Sequence, residues 1–344
     1  MKYDMVEDIA CPACRGGLNL RGRNAGGPEV RAGTLQCRAC RRSYPVVLGR
    51  PILLPPGAMS TWIPAIREAL GGAKTRRLLR NPGKAGIDEA LKGQWARWKD
   101  LRTGPRRWRV EPGLLRDGRM RLAGWTHSHE GKRIRVPGLE DARRPLPRLR
   151  KDREPIEEMV CQVLRLRPES VLDVASGGGW FVTRLLFHSR RRPKVISLER
   201  DLRCLWTLEY KFRSLKANNR AEAVGGDVRA LPLGDNRMDV VTCANAFSEI
   251  AGLSAMMAEV HRVLRPGGHF IFSHSVAPVA FQPLSPADYR RLALATDLFV
   301  DANHLLKQAK QAGLVFEDKV SLRERNGLPC FAARFAKPAA PDVR

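Results

Sequence analysis

Short apolar segments alternate with stretches of helical periodicity in the C-terminal half of the chain. The clearest segment, Val171–Val174, runs into the small glycine-rich turn Ala175–Gly179 and then into Phe181–His188, where apolar residues recur at helical spacing. This order predicts a strand, a tight loop and a helix. Glycines let a backbone approach a ligand closely, and a helix N-terminus presents unpaired N–H groups. The turn is therefore a candidate ligand-binding loop, with an ordinary strand-to-helix turn as the alternative.

Four further apolar segments repeat this pattern, with helical stretches between them. The segment Lys194–Leu198 is followed by Glu199, 26 residues after Asp173, where a doubly wound sheet places the acid that holds ribose hydroxyls. The other predicted strands are Ala223–Asp227, Asp239–Asn245 and His269–Ser273. Strands separated by helices predict a doubly wound, mostly parallel α/β sheet, and the acid indicates a nucleoside ligand.

The ends of this region carry their own signals. Glu154–Leu164 predicts an amphipathic helix that opens the domain, with Pro155 tolerated in its first turn. Arg265–Gly268 predicts a turn before the fifth strand. Tyr289–Gln311 predicts a helix, and Cys330–Phe335 a strand that helps to complete the sheet.

Four motifs in register, VLDVASGGG, VISLERD, GGDVRALPLGDNRMDVVTCANAF and EVHRVLRPGGHFIFS, resemble the class I S-adenosylmethionine-dependent methyltransferases over about residues 155 to 335. The resemblance implies a seven-stranded Rossmann-like methyltransferase fold and S-adenosylmethionine as cofactor. Ala175 stands where that family usually has its first glycine, as it does in the quinone C-methyltransferases. The implied cofactor-binding residues are Asp173, Ala175, Ser176, Gly177, Gly179, Glu199, Asp227, Val228 and Asn245.

The resemblance also assigns parts of the cofactor to these positions. Asp173 and the Ala175–Gly179 loop would hold its methionine part, and Glu199 its ribose. Asp227 would accept a hydrogen bond from the adenine amino group, and Asn245 would lie beside the transferred methyl group.

Methyl transfer from a sulfonium is an in-line displacement, which needs few catalytic side chains. The protein must bring the nucleophile to ~3–3.5 Å from the methyl carbon and exclude water. Asn245 and Glu249, at and just after the fourth predicted strand, are the candidate catalytic residues. Many small-molecule relatives carry histidine at the position of Glu249, so this carboxylate could accept a proton. Its alternative role is a helix-start residue favoured by the helix dipole.

Two CxxC pairs near the N-terminus predict a metal site. Cys11 and Cys14 form one pair, Cys37 and Cys40 the other, and 22 residues separate the pairs. Two such turns can aim four thiolates at one point, which is the tetrahedral sulfur set that Zn²⁺ prefers. A thioredoxin-like redox site would need a single pair in a βαβ setting. We therefore predict a structural Cys₄ zinc site that supplies folding free energy.

Residues 5 to 56 resemble the small zinc-ribbon proteins that activate RNA and protein methyltransferases. A second resemblance is to bacterial large-subunit ribosomal RNA guanine methyltransferases, which place a zinc motif before the same catalytic fold. Those enzymes typically use histidine as the fourth ligand, whereas this chain has four cysteines. The predicted division is a zinc ribbon over 1–56, a basic Trp-rich linker or helical cap over 57–154 and a methyltransferase domain over 155–338.

Positive charge is concentrated in the N-terminal part of the chain. The formal net charge is +26, and residues 1–155 hold 34 basic and 15 acidic residues, a net of +19. Basic clusters there alternate with five of the seven tryptophans, Trp62, Trp95, Trp98, Trp108 and Trp125. Such a segment favours a polyanionic partner such as RNA, because phosphate contacts release counterions and aromatic rings stack on unpaired bases. Its alternative role is a helical cap over the substrate pocket.

These patterns predict a methyltransferase with either RNA or a small, quinone-like metabolite as acceptor. A non-enzymatic alternative is a zinc-ribbon RNA-binding protein whose methyltransferase fold has lost activity. No apolar run approaches the ~18–20 residues needed to span a bilayer, and the N-terminus lacks the apolar core of a signal peptide. Paired and single cysteines in this pattern are typical of a reducing compartment, so we expect a cytoplasmic protein.

Overall fold

A computed structural model describes residues 1–23, 30, 32–47, 49–54, 142–200, 202–247, 250, 252–275, 302–323 and 329–339. Three sequence-based predictions fall outside this part of the chain: the Trp-rich segment up to residue 141, the candidate Glu249, and the first half of the predicted helix 289–311. The zinc ribbon and most of the predicted sheet lie within it.

The described residues form helices and strands in the predicted alternation. The helices are α1 (Met5–Asp8), α2 (Pro155–Leu166), α3 (Trp180–His188), α4 (Leu202–Ser214), α5 (Leu253–Val263) and α6 (Ala302–Gln311). The strands are β1 (Leu18–Arg23), β2 (Ala32–Cys37), β3 (Ser43–Val47), β4 (Arg50–Leu53), β5 (Ser170–Val174), β6 (Lys194–Glu199), β7 (Ala221–Gly226), β8 (Met238–Ala244), β9 (Leu264–Ser275), β10 (Val315–Arg323) and β11 (Pro329–Ala336).

Seven strands form the predicted doubly wound sheet, in the order β7-β6-β5-β8-β9-β11-β10. The first five are parallel neighbours, and β11 pairs antiparallel with both β9 and β10. The Rossmann-like methyltransferase fold expected from the motifs is thereby confirmed. From β5 the chain continues to β6 and β7 on one side of the sheet and then to β8 and β9 on the other. Doubly wound sheets bind ligands in the crevice at such a switch point, so the carboxyl end of β5 is the expected ligand site.

The sheet is larger than the seven strands expected from the sequence. The ribbon strands β1 to β4 continue it to 11 strands, since β4 pairs in parallel with β7 through Ile52–Gly225 and Leu53–Gly226. A Cβ on Gly225 would lie 2.9 Å from Cδ1 of Ile52, so the glycine is what allows β4 to come this close. The zinc ribbon is thus an extension of the catalytic sheet.

Two buried apolar clusters hold the sheet between its covering elements. One joins α2, α3 and α4 to one side of the sheet and includes Val160, Leu185 and Leu208. The other joins the ribbon, α5 and α6 to the sheet and includes Leu35 and Met257. Within the described residues, no helix is long and apolar enough to cross a membrane.

Helix α2 begins as the sequence predicts, at Pro155. The Glu154 backbone N–H donates to the Glu157 carboxylate at 3.0 Å, one half of a capping box. The predicted linker before α2 packs against it, because Arg153 donates to the Pro147 carbonyl at 3.0 Å and to the buried Glu158 carboxylate at 2.8 Å. The catalytic half therefore includes residues that precede its first helix.

Strand β9 begins earlier than predicted. Residues 265–268, predicted as a turn, lie within the strand, while its register against β8 shifts between Met238–Leu264 and Val240–His269. Gly267 has a φ of 75°, which only glycine adopts easily. In place of the predicted turn, the strand thus contains a local irregularity in its pairing with β8.

Candidate cofactor and zinc sites

The glycine-rich loop turns the chain from β5 into α3 through left-handed backbone. Ala175 and Gly177 both have a φ of 51°, and Gly179 has a φ of 80°. Ala175 thus adopts the conformation for which glycine is usual at this position, at a modest steric cost. The Ser176 N–H donates to the Leu198 carbonyl at 3.1 Å, which ties the loop to β6.

Asp173 lies under this loop and is 1% exposed. Its Oδ1 accepts a hydrogen bond from the Thr242 hydroxyl at 2.8 Å. Burial raises the pKa of Asp173 to about 7, the two hydroxyls of Ser176 and Thr242 oppose that rise, and the Glu199 charge adds to it. A carboxyl group in this state accepts or donates a hydrogen bond according to pH.

Glu199 ends β6 and reaches the same loop. Its Oε2 accepts a hydrogen bond from the Gly177 N–H at 2.8 Å, and its Oε1 one from the Arg200 N–H at 2.7 Å. The structure therefore brings together the predicted ribose acid and the predicted loop, which are 22 residues apart in the chain.

Asp227 follows β7, is 4% exposed, and is held by Arg229. Its Oδ1 accepts from the Arg229 N–H and Nε at 2.9 Å each, and its Oδ2 from Nη2 at 2.6 Å. Burial alone would raise the pKa of Asp227, but the hydrogen bonds and charge of Arg229 bring it below its ordinary value. An ionised carboxylate has about four acceptor positions, so one remains for a further donor. The sequence reasoning missed Arg229, although its position two residues after the acid was a readable signal.

Asn245 follows β8 with a φ of 51°. Its N–H donates to the Ser273 carbonyl at 3.0 Å, and its Oδ1 accepts from the Ser273 hydroxyl at 3.2 Å. These contacts fix the candidate residue between the ends of β8 and β9. Val228, the other predicted residue of this edge, is 9% exposed.

The predicted polar residues thus lie at the carboxyl ends of neighbouring parallel strands. Asp173 and Glu199 are among the last residues of β5 and β6, and Asp227 and Asn245 directly follow β7 and β8. This edge is where doubly wound sheets bind nucleotides. An ideal Cβ built on Gly177 meets no heavy atom within 4 Å among the described residues, so they leave room for a ligand at Gly177. The donors, acceptors and space at this edge fit a nucleoside cofactor.

A second residue that the sequence reasoning missed is Lys211 on α4. It is 0% exposed, and its Nζ donates to the Gly178 carbonyl at 2.6 Å. Its helical context gave no local signal for this contact, because the partner lies 33 residues earlier in the chain.

The four cysteines of the ribbon form one cluster, Cys11, Cys14, Cys37 and Cys40, with all four sulfur atoms within 4.8 Å of one another. The Cys11–Cys40 Sγ distance is 3.6 Å and the Cys14–Cys37 distance is 3.4 Å. Zinc–sulfur bonds of ~2.3 Å in a tetrahedron place sulfur atoms ~3.8 Å apart. The geometry fits a zinc ion.

Both cysteine pairs end in the same local structure. The residue after each pair, Arg15 or Arg41, has a φ of 63°, which turns the chain back beneath the sulfurs. The Tyr44 hydroxyl lies 3.2 Å from the Cys11 sulfur, and the Cys40 N–H donates to the Cys37 sulfur at 3.4 Å. Such outer contacts orient metal ligands.

The ribbon also touches the chain just after Asp227. The Ala10 N–H donates to the Pro232 carbonyl at 2.9 Å. Arg15 lies 3.1 Å from the Glu259 carboxylate, which also accepts from the Leu231 N–H at 2.7 Å. The ribbon therefore supports the segment that follows the predicted adenine acid.

Two domain families match the chain. Residues 172–272 match the family described as methyltransferase domain, and residues 2–49 match the family described as Trm112p-like protein. The first match contains the loop and the four strand-end residues, and the second contains all four cysteines of the cluster.

Similar proteins include the demethylmenaquinone methyltransferase of Deinococcus radiodurans, 33% identical over 122 residues, which are 35% of this chain and 48% of that protein. The malonyl-[acyl-carrier protein] O-methyltransferase of Gallionella capsiferriformans is 34% identical over 115 residues, 33% of this chain and 39% of that protein. The chain thus spans less than half the length of each of these curated relatives.

A solved structure with a similar chain is a SAM-dependent methyltransferase from Aquifex aeolicus, at 18% identity and a TM-score of 0.41, covering 52% of this chain and 89% of that one. The strand order and the acids at the strand ends agree with the match to a methyltransferase domain, and the cysteine cluster agrees with the match to a Trm112p-like protein. The chain thus contains a region that matches the methyltransferase domain family and, before it, a region that matches the Trm112p-like proteins.

Proposed function

We propose that this protein transfers the methyl group of S-adenosylmethionine to RNA. The observation that carries the choice of acceptor is the net charge of +26, of which +19 lies in residues 1–155. Basic side chains that neutralise phosphates release counterions, and this gives affinity for a polyanion without a specific sequence. Exposed arginines on the ribbon, Arg38, Arg41 and Arg42, add to this surface in the described part.

We assign each part of the cofactor to residues at the carboxyl end of a strand. The methionine part lies against Asp173 and the loop of Ala175, Ser176, Gly177 and Gly179, whose backbone leaves open space above Gly177. Glu199 binds the ribose hydroxyls, and for this its carboxylate shares or exchanges the hydrogen bond it now accepts from Gly177.

Asp227 receives the adenine amino group at its remaining acceptor position, with Val228 alongside the ring. Its hydrogen bonds from Arg229 support this role, because they hold the carboxylate ionised and in one orientation. The adenine amino group is a donor, and an ionised carboxylate is an acceptor only.

The zinc ligands are Cys11, Cys14, Cys37 and Cys40. A closed set of four thiolates leaves no open coordination position, so the metal has a structural role. It stabilises the two cysteine turns, one before β1 and one between β2 and β3, in the ribbon that joins the catalytic sheet through β4.

The bound cofactor supplies an electrophilic methyl group, and the residues around it position the acceptor. Asn245 is fixed through Ser273 at the carboxyl end of β8, where its amide can orient the acceptor group. Glu249 follows a few residues later and serves as the proton acceptor. Since the displacement is in line, exclusion of water and alignment provide most of the rate enhancement.

A small metabolite is the second candidate acceptor. It is favoured by the relatives, whose names give demethylmenaquinone and malonyl-[acyl-carrier protein] as their substrates. In this case the segment 57–154 would cap the pocket.

Transfer of radiolabelled methyl groups to total RNA and to a protein-free metabolite extract, measured in parallel, separates the two acceptors. We expect label in RNA, with RNA affinity that falls steeply as salt rises. Label confined to the metabolite fraction would overturn the RNA assignment. The variant Asp173→Asn with Glu199→Gln should abolish transfer. Glu169→Gln, which changes an exposed acid at the amino-terminal end of β5, on the opposite edge of the sheet, should not.

The non-enzymatic alternative has its own outcome. Calorimetry on the zinc-loaded protein should detect cofactor binding that the Asp173→Asn, Glu199→Gln variant loses. RNA binding without any cofactor binding would identify an RNA-binding protein in place of an enzyme.

A further inference from the structure

The side chain of Lys211 extends from α4 to the glycine-rich loop. It is 0% exposed, and its Nζ donates to the Gly178 carbonyl at 2.6 Å. The same Nζ lies 5.6 Å from the centroid of the Trp180 ring, at the first residue of α3. The ammonium group is therefore placed between the loop and the start of the helix that follows it.

This contact fixes one peptide plane of the loop. The Gly178 carbonyl accepts from Lys211, while the N–H of the same peptide, on Gly179, donates to the Ser176 carbonyl at 2.9 Å. Helix α4 approaches so closely that a Cβ on Gly179 would lie 2.6 Å from Cδ2 of Leu208. Both polar groups of the peptide are thus engaged, and its orientation is set before any ligand binds.

Lys211 also adds a positive charge near the N-terminus of α3, which is the positive end of that helix dipole. Helix α3 begins at Trp180 with Gly179 as N-cap, and no side chain in the described part of the chain caps it. The free N–H groups of such a terminus favour an anion, and a buried ammonium nearby strengthens that preference because water screens it little. The methionine part of the proposed cofactor ends in a carboxylate.

We propose that Lys211 is a positioning residue that prepares the loop for the carboxylate-bearing methionine part of the cofactor. It acts through the Gly178–Gly179 peptide and through its charge. This inference rests on the cofactor assignment made under the proposed function.

Two ligands test it, because S-adenosylhomocysteine carries the amino-acid carboxylate and 5′-methylthioadenosine lacks it. Calorimetry with Lys211→Met should show S-adenosylhomocysteine binding weakened by about tenfold or more, as for loss of a hydrogen bond that involves a charged group. Binding of 5′-methylthioadenosine should change by less than about threefold. A side chain that only supported the fold would weaken both ligands alike.

Two further substitutions at Lys211 separate geometry from charge. Lys211→Arg keeps the charge and a donor and should restore most of the affinity, while Lys211→Gln keeps a donor alone and should fall between arginine and methionine. If the methionine variant unfolds, the arginine-to-glutamine comparison still gives the effect of charge. Lys216→Met, at an exposed lysine just after α4, is the matched control and should bind both ligands as the wild type does.

The outcomes distinguish this inference from the cofactor assignment. Failure of the wild-type protein to bind S-adenosylhomocysteine contradicts the assignment itself. Normal wild-type binding, with equal losses of both ligands or no loss in Lys211→Met, overturns the role of Lys211 alone.

Discussion

The cysteine cluster of the ribbon and the proposed cofactor loop both lie on irregular backbone, but different contacts hold them in place. In the ribbon, two copies of one short turn each aim two sulfurs at the metal, and the residues after them, Arg15 and Arg41, share a φ of 63°. In the cofactor loop, the supports come from distant elements, including Leu198 on β6 and Lys211 on α4. The ribbon site is locally encoded, whereas the loop depends on the assembled sheet.

The two regions share one buried core. Ribbon residues such as Leu18 and Leu35 belong to the same buried cluster as Phe270 and Met257 of the catalytic half. The ribbon therefore contributes directly to the stability of the sheet, and loss of its metal should be felt beyond the cysteines.

The largest expected effect is the loss of zinc. Metal analysis should find one zinc per chain in the wild type and little in Cys37→Ser. A structural zinc site contributes ~10 kcal/mol or more of binding free energy in small domains, so the thermal midpoint of the variant should fall by about 10 °C or more. Cys161→Ser changes a thiol outside the cluster and should keep both metal and midpoint. Full zinc occupancy in Cys37→Ser would show the ligand set to be wrong.

A second effect should appear in the catalytic half alone, at Asp173. Burial raises the pKa of this acid from 3.8 to about 7, so the folded state holds its proton more tightly than the unfolded state does. The stabilisation from protonated Asp173 is present in full below pH ~4. It is lost as the pH rises from ~4 to ~7, with a slope of up to ~1.4 kcal/mol per pH unit, and it does not change further above pH ~7.

Asp173→Asn should remove this slope. Denaturant unfolding from pH 4 to 8 should find the variant more stable than the wild type above pH 7, with the difference shrinking towards pH 4. Asp235→Asn is a control of opposite sign, since the hydrogen bond from Arg262 lowers the pKa of Asp235 and its stabilisation is lost as pH falls. A wild-type profile parallel to that of Asp173→Asn would contradict the assigned pKa.

A third, smaller effect tests the junction between the regions. Gly225→Val should push β4 away from β7, because its Cβ would lie 2.9 Å from Ile52, and overpacking of this kind costs about 1–3 kcal/mol. Zinc content should stay at the wild-type level, since the cysteines are distant in the chain. Gly17→Ala, whose Cβ would meet nothing nearer than 3.7 Å, should be tolerated. Equal stabilities of the two variants would argue against the β4–β7 pairing.

The smallest effect is the contribution of Arg15 to its ion pair with Glu259, which joins the ribbon to α5. Glu259 is about 7% exposed and accepts from Arg262 and from the Leu231 N–H, so Glu259→Gln should cost about 1–3 kcal/mol. Arg15 is 56% exposed on its side chain, so Arg15→Ala should cost less than about 1 kcal/mol. A double-mutant cycle measures the coupling of Arg15 with Glu259, and a value above that of Arg262 with Glu259 would contradict this ranking.

Much of this molecule could be predicted from its sequence, because the relevant signals are local. The spacing of Cys11, Cys14, Cys37 and Cys40 predicts one cluster, since each pair needs only a single turn. Apolar periodicity predicts the strands, and an acid after a strand must lie at the carboxyl edge of the sheet. Asp173 is the fourth residue of β5 and Glu199 is the last residue of β6, so both lie at this edge, and their contacts with a cofactor stay a prediction.

The tertiary structure alone decided which distant parts of the chain meet. The pairing of Ile52 with Gly225 makes the ribbon part of the catalytic sheet, and Lys211 reaches Gly178 across 33 residues. Neither contact leaves a periodic or compositional signal, because a glycine in a strand and a lysine in a helix are compatible with many environments. Their partners are fixed only when the sheet has assembled and the helices have packed against it.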